Sequence, residues 1–236
     1  MYDTRLPRQS VSTLMKDLMK FFLITIFSFF LVTQVAAEPI LPPQPAFWKS
    51  KAKVHKKIRE ERAIIVSVLT KKSDIDPKKP HLLHMTGGGW IGTSRKFAYD
   101  QARDFSNLKK VSSHIREVVY NAKDQTLYLH TEAFNYHAKM KLKVDFKEVD
   151  SSSQIDFTVI EGMFVCLQGL VTFSEVEPLK SEIGFFSGYR YKDLPMPRFF
   201  IEFGLEVVIQ KISGFLRGYI ENEFSKAKRQ ATEDKK

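Results

Sequence analysis

The chain has 236 residues, with 37 Lys and Arg against 27 Asp and Glu, a formal net charge of +10, 43% hydrophobic residues and one cysteine. A single cysteine excludes an intramolecular disulfide. The positive balance suits acidic partners, among them anionic membrane head groups and envelope polymers, and equally a solvated basic surface. No arginine-rich nucleic-acid motif is present, so nucleic acid is not expected as a partner.

Residues 1–37 read as a secretory signal peptide. Lys16 and Lys20 supply a positive start, Phe21 to Val32 is apolar apart from Thr25 and Ser28, and Val35-Ala36-Ala37 has the small-residue pattern of a cleavage site. A retained anchor is the competing reading, but a spanning helix needs about 20 apolar residues. The polar stretch Met1 to Leu14 is long for such a leader, so translation is expected to start at Met15. Cleavage leaves a 199-residue chain with 33 basic and 25 acidic residues, a balance of +8 and the size of one domain. The expected location is the periplasm or the extracellular space, across an inner membrane.

Residues 38–62 form a linker and a basic segment. Four prolines between Glu38 and Pro45 exclude helix and favour an extended tether. Ala46 to Arg62 is rich in Lys and Arg with Phe47, Trp48, Val54 and Ile58 interspersed. Four apolar residues are too few for a membrane-surface helix, so the segment is expected to dock on the domain.

A domain then runs from 63 to 225. Ile64-Ile65-Val66-Ser67-Val68 predicts a strand over Ala63 to Leu69, followed by a polar turn from Lys71 to Pro80 and a second strand from His81 to Trp90. Gly87, Gly88 and Gly89 lack any phosphate-loop pattern around them and predict a bulge or bend. Thr93 or Ser94 caps a helical stretch, Arg95 to Lys110, which Asp104-Phe105-Ser106-Asn107 divides into two short helices. Strands are predicted at Ile115 to Asn121 and Thr126 to Phe134. Ala138, Met140, Leu142, Val144 and Phe146 alternate with Lys139, Lys141, Lys143, Asp145 and Lys147, giving one dry face and one cationic face. A strand through Ile155 and Val159 leads by a tight Glu161-Gly162 connection into Met163 to Ser174, which places Cys166 in an apolar strand as a buried structural thiol. Lys180 to Tyr191 is the last strand.

Beyond Pro197 the period switches to about 3.6, and Phe199, Phe203, Val207, Ile212, Phe215, Tyr219 and Phe224 predict a long amphipathic helix. Gly204, Gly214 and Gly218 suggest bends or a close approach to the sheet. The charged tail 226–236 is expected to fray.

This order of elements resembles the helix-grip fold of the START-like (SRPBCC) superfamily, nearest its coenzyme Q-binding and polyketide cyclase branch. The residues that carry the resemblance are Trp90-Ile91-Gly92-Thr93-Ser94 leading to Asp104-Phe105-Ser106-Asn107-Leu108, then Ile160-Glu161-Gly162-Met163-Phe164 with Leu167-Gln168-Gly169, and Phe215-Leu216-Arg217-Gly218-Tyr219-Ile220-Glu221. The basic segment before Ala63 and the insertion-like Lys71 to Pro80 depart from that pattern. The resemblance implies an α+β fold, a curved antiparallel sheet wrapped around the C-terminal helix, and an apolar cavity between them for a lipid or isoprenoid-like molecule.

Twenty Phe suit the lining of such a space. The expected wall is Phe134, Met140, Leu142, Val144, Phe157, Val165 and Phe173 from the sheet, with Phe203, Val207 and Phe215 from the helix. Glu132, Tyr189 and Arg190 are the expected polar anchors. No catalytic, cofactor or metal constellation is read from the sequence. His81 and His84 fall on opposite faces of a strand, and His130 and His137 have no partner at a recognised metal spacing. The expected function is a monomeric exported carrier. The alternatives are a cyclase- or hydrolase-type enzyme of the same superfamily and a basic envelope-binding domain without a cavity.

Overall fold

A computed structural model describes residues 48–49, 51–71, 81–133, 136–149, 151–191 and 198–234. The signal peptide, the proline tether, the Lys72–Pro80 insertion and Phe134 lie outside the described residues. In chain order the elements are α1 (Ala52–Glu60), β1 (Ile65–Lys71), β2 (His81–Ile91), α2 (Arg95–Arg103), α3 (Ser106–Val111), β3 (Ile115–Asn121), β4 (Thr126–Ala133), β5 (Tyr136–Val149), β6 (Ser152–Gly162), β7 (Gln168–Glu177), β8 (Lys180–Tyr191) and α4 (Arg198–Glu233). The eight strands form one antiparallel sheet in the order β1-β2-β8-β7-β6-β5-β4-β3, so β1 and β3 are its edges.

Local chemistry accounts for the breaks. The Ser94 hydroxyl accepts from the Phe97 amide and caps α2. Asp104 Oδ1 accepts from the Ser106 amide at 3.1 Å and from its hydroxyl at 2.6 Å, ending one helix and starting the next. The alternation in β5 holds, with Leu142 and Val144 buried while Lys143, Asp145 and Lys147 are exposed.

One face of the sheet carries α2, α3 and α4 over the main core, in which Val66, Leu83, Met85, Tyr99, Leu142, Val144, Ile155, Phe173, Ile201 and Ile220 are buried. On the opposite face Trp48, Ile58 and Trp90 form a second cluster with Val54 and Ile65 packed on it, so the basic segment docks there and the packed unit extends ahead of Ala63. The glycines do not make a bulge. Pairing runs without a shift from Ile65↔Gly88 and Val66↔Gly87 and on to β8, where Gly88 faces Gly184. Their role is spatial, because a Cβ on Gly88 would stand 2.3 Å from Cζ2 of Trp48.

Two further expectations are corrected. The β6 strand continues through Gly162, and the connection to β7 is a longer turn in which Phe164 and Cys166 adopt positive φ. Cys166 is therefore an exposed turn residue and not a buried thiol. Past Lys226 the charged tail continues α4. The helix runs to Glu233 on good helix formers, with Lys226 Nζ donating to Glu223 at 2.8 Å and the Thr232 hydroxyl to the Lys228 carbonyl at 2.9 Å. No helix among the described residues is long and apolar enough to cross a membrane.

The glycines of α4 do not meet the sheet either. A Cβ at Gly204, Gly214 or Gly218 would find nothing within 4 Å, which places them on the outer face beside exposed Phe203 and Phe215. Each should then respond as an exposed helix glycine. Gly214→Ala and Gly218→Ala are expected to stabilise the fold by about 0.8–1 kcal/mol each, and about 2–4 °C of melting temperature per kcal/mol is the readout. A fall in melting temperature would mean that this face is covered in solution.

Candidate functional site

The long helix α4 lies antiparallel to the edge strand β1 and is fastened to it by polar groups along its length. Glu202 Oε1 accepts from the Thr70 amide at 2.9 Å and from its hydroxyl. Gln210 donates to the Ile64 carbonyl at 2.9 Å, and Arg217 Nη1 donates to the Arg62 carbonyl. At the far end Glu221 Oε1 accepts from the Gly92 amide at 2.8 Å and pairs with the Arg62 guanidinium. An edge strand presents unpaired backbone groups, and these side chains satisfy part of that demand.

Between α4 and the sheet lies a cavity of about 320 Å³. Its floor is the backbone of Gly87 to Gly89, its sides are Val66, Val171, Ile183 and Phe185, and its roof is Ile209, Ile212, Ser213, Leu216 and Arg217 of α4. The floor is shallow because the glycines offer no side chains where β2 passes beneath the helix. Ser213 and Arg217 are the polar side chains of the roof, and among the described residues of the wall there is no carboxylate, histidine or thiol. Arg217 is partly buried, and burial pushes its guanidinium pKa down, with Arg62 acting in the same direction against Glu221.

The sequence places a cavity under α4, and none of the described residues expected as its walls is among those that line this one. Leu142, Val144 and Phe173 are buried, and Met140 and Phe157 are partly buried, in the main core cluster to which wall residues such as Val66 and Phe185 also belong. Phe157 stacks on the wall residue Phe185 with ring centres 6.4 Å apart, and Phe173 pairs across the strands with the wall residue Ile183. Val165 is exposed in the turn before β7, and Phe203, Val207 and Phe215 are exposed on the outer face of α4. The residues that do line the roof were hidden because α4 is apolar on both faces, which leaves its phase undetermined by pattern alone.

The anchors are dispersed as well. Glu132 bonds Arg116 Nε at 2.7 Å, and that hydrogen bond holds its carboxyl below the ordinary range. Tyr189 packs edge-on to Phe164 and stacks on Tyr191, and burial raises its phenol pKa. Arg190 is exposed, on the face of β8 opposite Tyr189. His81 and His84 do fall on opposite faces, against Tyr191 and Phe186 respectively. His130 and His137, which have no partner at a recognised metal spacing in the sequence, meet at 3.3 Å between Nε2 and Nδ1, with Glu132 3.8 Å from His137. The hairpin register pairs Glu132 with His137. Among the described residues no group of three or more His, Cys, Asp or Glu side chains is placed to hold a metal ion.

No family model and no curated protein matches the sequence. Solved structures match the fold. A START superfamily protein from Mycobacterium smegmatis is 13% identical with a TM-score of 0.50, over 59% of this chain and 97% of that one. A STAR-related lipid transfer protein (fragment 25–204) from Xanthomonas axonopodis is 9% identical with a TM-score of 0.51, over 66% of this chain and 93% of that one. The fold is thus the START-like helix grip: an antiparallel sheet with a long C-terminal helix packed on one face.

Proposed function

We propose that this chain is an exported carrier that holds a hydrophobic small molecule, a lipid or an isoprenoid-like compound, in the cavity under α4. The observation that carries the reading is an apolar space of about 320 Å³, within the range of roughly 300–1,000 Å³ typical of small-molecule pockets. A close-packed interior has few voids larger than a water molecule, so a space of this size with apolar walls is favourable once filled. The lipid transfer named for the Xanthomonas protein accords with this reading, at the level of fold alone.

Export rests on the leader sequence, with Glu38 as the proposed first residue of the mature protein. Peripheral contact with an anionic membrane or envelope polymer rests on the +8 balance of the mature chain and adds a means of delivery. A monomer is proposed. The enzymatic alternative has less support, because the described wall holds one hydroxyl and one guanidinium and no group suited to act as a general base.

Native mass spectrometry of protein recovered from the envelope or medium is the test. The expected result is a polypeptide beginning at Glu38 with a bound mass that denaturation releases into an organic extract. Protein that carries no ligand, and that leaves an apolar fluorophore in water unperturbed, would overturn the carrier reading. An uncleaved leader would overturn the export reading alone.

A further inference from the structure

The cavity is apolar on all sides but one, and the exception is a cation without a counter-ion of its own. Arg217 lines the roof and gives one donor to the Arg62 carbonyl, while a guanidinium has five. Among the described residues no carboxylate lies within ion-pair distance of it. The nearest acid, Glu221, is already held by the Arg62 guanidinium and the Gly92 amide. Two guanidinium groups therefore share one carboxylate, which leaves one positive charge in excess at this end of the cavity. A partly desolvated cation in an apolar wall is unfavourable until an anion reaches it. Ser213 stands one turn before Arg217 on the same roof and offers a hydroxyl donor beside it.

We infer that the ligand is a single-chain amphiphile with an anionic head, a carboxylate or a phosphate monoester, and that Arg217 receives the head while the chain runs along the glycine floor. The inference rests on the carrier reading and narrows it. The planar fork of arginine matches two oxygens of either head at once. The volume is near the lower end of the range for small-molecule pockets and suits one acyl chain, not two.

The test uses the mature protein and an environment-sensitive apolar fluorophore, displaced by dodecanoate, monododecyl phosphate, dodecanol or dodecyltrimethylammonium, all below their micellar concentrations. At least one of the two anions is expected to bind ten-fold or more tightly than dodecanol, and the better of them identifies the head group. Arg217→Gln and Arg217→Met should abolish that advantage, read as the ratio of anion to alcohol affinity within each variant, and Arg217→Lys should keep part of it. Equal binding of anions and alcohol, or preference for the cation, would overturn the inference while leaving the carrier reading in place. No displacement by any of the four would overturn the carrier reading itself. The comparison within the wild-type protein decides the matter even if a variant fails to fold.

Discussion

Trp48→Ala lowers the unfolding free energy by about 3–5 kcal/mol, the usual cost of truncating a fully buried tryptophan. Trp48 is 2% exposed and sits on the back of the sheet, outside what composition alone marks as the domain. Its ring fills the recess made by two facing glycines: a Cβ on Gly88 would stand 2.3 Å from Cζ2, and one on Gly184 3.8 Å from Cη2. Charges of the segment hold it down, with Lys49 paired to Glu182 at 3.0 Å and Arg59 lying 6.0 Å from the centre of the Trp90 ring. Gly88→Val should be destabilising on its own, because the indole must leave to admit it. The double variant should lose less than the sum of the singles, since valine enters the space the indole vacates. Urea denaturation of the four proteins measures this directly. A Trp48→Ala loss below about 1 kcal/mol would mean that the segment before β1 contributes little and that the cavity floor is supported from the helix side alone.

The strands were legible wherever burial is one-sided. In β5 the Leu142 and Val144 side chains go in and Lys143, Asp145 and Lys147 go out, so period two is written in the residues. The bounds of β3 and β8, and the break at Asp104, follow from turn and cap chemistry that acts over a few residues. What was not legible is α4, and for a definite reason. Its outer residues Phe203, Val207 and Phe215 are as apolar as its inner ones Ile209, Ile212 and Leu216, so hydrophobicity gives the helix no phase. Its polar residues mislead in the opposite sense. Glu202, Gln210, Arg217 and Glu221 read as a solvent face, yet each bonds backbone of β1 or of the chain beside it, a demand created by an edge strand and visible only once the sheet order is known. The triple glycine failed similarly. Its purpose is set by Trp48 behind and the cavity in front, both far from it in sequence.

Filling the cavity gives the other large effect. Ile212→Trp is expected to weaken binding of a dodecyl-chain ligand by about 100-fold with little change in melting temperature. Ile212 is partly buried, lies in the roof and faces the bare glycine floor, so a larger ring extends into empty space instead of into packed core. The indole should displace roughly four methylenes of the ligand, and at ~0.8 kcal/mol for each buried methylene that is about 3 kcal/mol, or on the order of 100-fold in affinity. The effect should depend on chain length. A long-chain acid loses the most, while a short acid that reaches Arg217 without crossing the floor loses little. Displacement titrations with acids of increasing length, on wild type and variant, separate the two. Phe203→Trp on the exposed outer face of α4 is the control, and it should leave every affinity unchanged. If Ile212→Trp binds the long acid as well as wild type does, the ligand lies somewhere other than under α4, and the glycine floor is there only to admit Trp48 from behind.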